Sequence, residues 1–86
     1  MSTRTVKIAS AVGLHARPAM LFVKAVTESG AKVTIAKSGG NPVNAASILA
    51  VMGLGIGFDD EVTIESNNDA ALDNLAELLA TDLDDI

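Results

Sequence analysis

Apolar and polar residues alternate in three short runs of this chain. From Thr3 to Ile8, Val6 and Ile8 fall on one side and Thr5 and Lys7 on the other. Ala31 to Lys37 sets Val33 and Ile35 against Lys32 and Thr34, and Asp60 to Ser66 sets Val62 and Ile64 against Glu61, Thr63 and Glu65. A period of two with one polar side predicts strands of a sheet that is covered on a single face. A short fourth strand around Val43 is predicted to pair with the second, because Ser38-Gly39-Gly40-Asn41 between them is turn chemistry.

The intervening segments switch to a helical period. Ala16 to Glu28 brings Ala19, Phe22, Val23 and Val26 onto one face, and Ser29-Gly30 supplies a stop. Ser47 to about Gly53 reads as a short helix with Ser47 as its N-cap. Asp69 to about Leu83 carries Leu72, Leu75, Leu79 and Leu83 on its inner side, after the capping candidates Asn67 and Asn68. The predicted order is β-α-β-β-α-β-α. An α+β fold follows, with a four-stranded antiparallel sheet and three helices packed on one face.

The length of 86 residues is enough for one domain with one modest core, spanning residues 1–86. Aromatic content is 2%, namely Phe22 and Phe58, so Val, Ile, Leu and Ala must fill that core. With neither Trp nor Tyr and a net charge of −5, the chain lacks both the stacking platforms and the cationic surface of a nucleic-acid binder. Cysteine is absent, which excludes disulfides and thiolate metal sites and fits a reducing compartment. The first residues hold no apolar core of a secretion signal, and the most apolar stretch, Ala45 to Phe58, is interrupted by Ser47, Gly53, Gly55 and Gly57. A cytoplasmic protein without membrane contact is expected.

Charge is divided along the chain. The segment before Asp59 holds all six bases and one acid, a charge of +5, whereas the remainder holds ten acids and carries −10. The overall acidity therefore conceals a basic first half. The single histidine, His15, lies in that half, directly ahead of the first predicted helix. Backbone N–H groups of a helix's first turn lack intrahelical partners and, with the helix dipole, make a place where an anion such as phosphate is stabilised. The same dipole favours an uncharged, nucleophilic imidazole. Arg17 falls within the first turn and can set a guanidinium against phosphoryl oxygens, while Pro18 stiffens the helix start without costing a hydrogen bond. Ala16, Arg17 and Pro18 thus form the expected phosphate cradle. From spacing alone, a solvated surface histidine and a group-carrying one are both open.

Gly13-Leu14-His15-Ala16-Arg17-Pro18-Ala19 resembles the active-site signature of HPr, the histidine-containing phosphocarrier of the bacterial sugar phosphotransferase system. Val43-Asn44-Ala45-Ala46-Ser47-Ile48-Leu49-Ala50-Val51-Met52-Gly53-Leu54-Gly55 resembles the serine-site helix of the same family, and length and element order agree throughout. The resemblance implies an open-faced β-sandwich and a non-enzymatic phosphoryl carrier. It implies that His15 accepts a phosphoryl group on Nδ1 from phosphorylated enzyme I and passes it to IIA domains of sugar permeases, with Arg17 as the phosphate's partner. No cofactor or metal of its own is implied, since magnesium is needed by enzyme I only, and a monomer is expected. Two other readings stand beside it. One is a regulatory binding module; the other is a specialised relative serving nitrogen regulation or a dihydroxyacetone kinase relay.

Arg17, Met20 and Lys24 are spaced to share the face of the first helix opposite its buried stripe. Met20, Leu49 and Met52 are expected to form a docking patch, since methionine-rich surfaces accommodate several partners. Ala16, Lys24 and Ile48 complete the docking candidates, although core packing is the more natural role of Ile48 and Val51. Ser47 is expected to act as a helix cap. The resemblance adds the reading of a regulatory phosphosite, addressed by an HPr kinase, yet Ala46 stands where regulated relatives carry lysine. Gly53-Leu54-Gly55-Ile56-Gly57 lacks the spacing of a nucleotide loop and reads as a flexible helix exit and turn.

Overall fold

The computed structural model describes residues 1–82. Four strands form, β1 (Ser2–Lys7), β2 (Thr34–Lys37), β3 (Val43–Asn44) and β4 (Glu61–Ser66), with helices α1 (Ala16–Ser29), α2 (Ile48–Gly53) and α3 (Asp69–Leu79) between and after them. The strands lie in the order β1-β4-β2-β3 and all neighbours are antiparallel. The last strand in sequence therefore becomes central. It pairs with β1 from Ser2↔Ser66 to Lys7↔Glu61 and with β2 from Thr34↔Glu65 to Lys37↔Val62.

This register explains the alternation. Ile35, Val62 and Ile64 point into the core with no exposed surface, while Thr3, Thr5, Lys7 and Glu61 face solvent. Thr5 and Thr63, opposite one another, share a hydroxyl hydrogen bond of 3.2 Å across the uncovered face. The helices pack on the other face, burying Phe22, Val26, Val51, Leu72 and Leu79.

Each helix ends as its local chemistry dictates. Ser47 Oγ accepts the Ala50 N–H at 3.3 Å and caps α2; Asn68 Oδ1 accepts the Ala71 N–H at 3.1 Å and caps α3. Gly30, left-handed at φ 70°, closes α1 and donates to the Thr27 carbonyl. α3 stops at Leu79, four residues before the expected end. Its final turn tightens there, with the Thr81 N–H on the Leu78 carbonyl, and the Leu79 carbonyl receives the Ala9 N–H at 3.1 Å. Leu83 lies outside the described residues.

Strand edges also differ from expectation. β1 ends at Lys7 because Ile8 turns to exchange backbone bonds with the segment before β4, donating to Asp60 and accepting from Asp59. β2 begins at Thr34: the register puts Ala31 and Lys32 beyond the end of β4 at Ser66, and Val33 spends its carbonyl on the Ala45 N–H at 2.9 Å. Val23, expected in the buried stripe of α1, is only half-buried at the rim of the core.

Candidate functional site

The segment leading to α1 is held from both sides. The Gly13 N–H bonds the Ser10 carbonyl at 2.9 Å, closing a tight turn, and the Leu14 N–H bonds the Ile56 carbonyl at 3.0 Å. Gly13 has φ +72°, and a side chain there would run into the Ile56 carbonyl and the Gly57 Cα. Only glycine permits both the left-handed backbone and this approach. Leu14 is then buried, 3% exposed, and anchors the entry to the helix.

His15 follows with extended backbone (φ −90°, ψ −169°) and is the N-cap of α1. Its carbonyl accepts the Ala19 N–H at 2.8 Å. Unlike Ser47 and Asn68, its side chain makes no capping hydrogen bond, and it is exposed. Pro18, Ala19 and Phe22 are buried beneath it, so the first turn is fastened to the core while His15, Ala16 and Arg17 stand at the surface. Pro18 has no N–H, which leaves those of Ala16 and Arg17 as the donors of this helix start. No acid lies in the first turn, so the helix end keeps its positive potential.

Five of the six expected docking residues come together, and Leu49 does not line the same depression. Ala16, Met20, Val23 and Lys24 of α1 and Ile48 and Met52 of α2 line a shallow depression of about 610 Å³. Met20 is 56% exposed and Leu49 82% exposed, whereas Val51 on the same short helix is fully buried. Ile48 is half-buried and does both, packing on the core and lining the depression. Ser47 is half-buried with its hydroxyl engaged as the cap of α2, as its position in the sequence suggested.

The segment from Gly53 to Gly57 is not the loose exit its glycines suggest. Lys37 Nζ donates to the Gly55 carbonyl at 3.1 Å and pairs with Asp60 Oδ2 at 3.3 Å; that same oxygen accepts the Gly57 N–H at 2.7 Å. The Gly57 N–H and the Lys37 ammonium hold the Asp60 carboxyl below its ordinary range. Sequence reasoning missed this brace, and it missed Val12 and Phe58, exposed apolar residues beside Gly13 and Gly57. Phe58 did carry a signal, being the one large apolar side chain between Gly57 and Asp59-Asp60.

An exposed imidazole thus stands at the open end of α1, one residue ahead of Ala16 at the lining of a shallow apolar depression. The family model described as "PTS HPr component phosphorylation site" matches residues 2–81. A protein called Phosphocarrier protein HPr from Streptomyces coelicolor is 49% identical over 89 residues, covering 100% of this chain and 96% of its own. The protein of that name from Haloferax volcanii is 43% identical over 82 residues, with 91% and 92% covered. The crystal structure of a phosphocarrier protein HPr from Bacillus anthracis superposes with a TM-score of 0.85 at 36% identity, covering 91% of this chain and 95% of that one. The chain belongs to the HPr family, the phosphoryl-group carriers of the sugar phosphotransferase system. It functions as a carrier and not as an enzyme, and the family role implies interaction with enzyme I and IIA domains.

Proposed function

We propose that His15 is the residue that takes up and returns the phosphoryl group. Imidazole Nδ1 attacks the phosphorus of phosphorylated enzyme I; a new N–P bond forms as the donor's bond to phosphorus breaks. A IIA nucleophile then repeats the displacement in the other direction. Transfer of this kind asks little covalent work of the protein, so positioning and charge neutralisation carry it. The Ala16 and Arg17 N–H groups and the Arg17 guanidinium offer hydrogen bonds to the phosphoryl oxygens, and Pro18 keeps that turn stiff.

The partners dock, on this reading, over Ala16, Met20, Lys24, Ile48, Leu49 and Met52. Lys24 and Arg17 frame an apolar centre, which suits acidic partners with an apolar contact point. The chain acts in the cytoplasm, as a monomer; among the described residues, no helix is long and apolar enough to cross a membrane. Ser47 serves as a helix cap.

One observation carries the assignment: His15 occupies an N-cap position without using its side chain as the cap, on a turn fastened at Leu14 and Ala19. The test is incubation with phosphoenolpyruvate, magnesium and enzyme I. The expected result is a mass increase of one phosphate, labile in acid and stable in base, and absent from His15→Ala. Retention of the label in that variant would falsify the assignment.

A further inference from the structure

Lys37 ends β2 and is far from His15 in sequence, yet it connects to it through a short series of bonds. Its backbone is fixed by the pairing with Val62. Its ammonium reaches the Gly55 carbonyl at 3.1 Å and Asp60 Oδ2 at 3.3 Å, and Asp60 Oδ2 holds the Gly57 N–H at 2.7 Å. Gly55 and Gly57, on either side of Ile56, are thus both tied. Ile56 itself is 5% exposed, and its carbonyl accepts the Leu14 N–H at 3.0 Å. Gly13 lies against Ile56 and Gly57. Leu14 is the residue before His15.

We infer that Lys37 is a positioning residue for phosphoryl transfer: by clamping Gly55 and Asp60 it holds the 55–60 segment against Gly13 and Leu14, and so sets the direction in which His15 leaves the surface. This rests on His15 being the phosphoryl acceptor. The segment needs an external clamp, because three glycines among residues 53–57 give it little stiffness of its own. The pair is also partly exposed, with side chains 41% and 36% accessible, so its contribution to global stability is small. Its effect is on geometry. Displacing a reacting group by a fraction of an ångström lowers the rate within a complex while leaving the docking surface intact.

The experiment compares the full chain with Lys37→Met, Lys37→Arg and Asp60→Asn. Steady-state phosphorylation by enzyme I is measured at varied chain concentration, alongside amide hydrogen exchange at Leu14. For Lys37→Met we expect kcat to fall roughly 5- to 10-fold, KM to stay within about twofold, and Leu14 exchange to quicken. Lys37→Arg, which keeps a donor at that point, should restore most of the rate. Asp60→Asn should act in the same direction and give a second reading should Lys37→Met fold poorly. Wild-type kcat with unchanged Leu14 exchange in both variants overturns the inference. So does a rise in KM with kcat preserved, which would make the segment part of the docking face. A His15→Ala chain that still takes the label refutes the acceptor assignment instead, while Leu14 exchange continues to judge the clamp.

Discussion

Gly13 lies so close to Gly57 that a Cβ on the former would come within 2.6 Å of the latter's Cα. Two glycines separated by more than half the chain thereby bring the segment after α2 beneath the entry to α1, and His15 sits two residues beyond that contact.

Replacement of Gly13 by alanine should therefore be costly. The φ of +72° strains any side chain, and the obstruction is backbone, which cannot step aside as a flexible side chain can. Gly13→Ala is expected to destabilise the fold by about 2–3 kcal/mol in urea unfolding. It should also slow phosphoryl transfer at temperatures where the protein is still folded.

Arg17→Ala should leave unfolding unchanged, because the residue is exposed on the first turn. The rate of label uptake from enzyme I is expected to drop roughly 10- to 100-fold, less than the roughly 100- to 1000-fold loss of a donor in a water-excluded site because Arg17 is exposed. Unaltered rates would remove Arg17 from the phosphate cradle.

Met20→Glu places a charge at the centre of the depression formed by Ala16, Val23, Lys24, Ile48 and Met52. KM for enzyme I should rise roughly tenfold, equivalent to about 1.4 kcal/mol of docking energy, with kcat little changed. A titration of initial rates against chain concentration separates the two constants.

Ser47→Ala removes the acceptor of the Ala50 N–H and should cost about 1 kcal/mol of stability. Ser47→Asp retains a capping oxygen at a helix start and should recover most of that loss in the same unfolding assay.

Acid should release the Asp60 brace. A carboxyl held below its ordinary range in the folded protein stabilises the fold at pH above its unfolded value. That stabilisation is lost as pH falls through the lowered folded value. Gly57 amide exchange, corrected for its intrinsic pH dependence, should quicken across that window in the wild type. In Asp60→Asn it should already be fast, with no such step.

Much of the fold was legible because local rules governed it. Alternation located three strands and the Ser38-Gly39-Gly40-Asn41 turn the fourth, and Ser47, Asn68 and Gly30 marked helix ends through bonds that reach only a few residues. The stripe of Ala19, Phe22 and Val26 revealed which side of α1 faces inward, and with it that Met20 and Lys24 face out. His15 stood out by its position ahead of that helix and by the motif around it.

What the amino-acid sequence determined by itself was the set of elements, their caps and the identity of the residues at the helix start, all consequences of periodicity and short-range hydrogen bonding. Only the tertiary structure decided that β4 enters the sheet between β1 and β2, that residues 53–57 brace Gly13 and Leu14, and that Lys37 closes on Gly55 and Asp60. The glycine-rich segment read as flexible because its stiffness is borrowed from partners far along the chain. Those partners are chosen when apolar faces find a common core, and no window of neighbouring residues contains them.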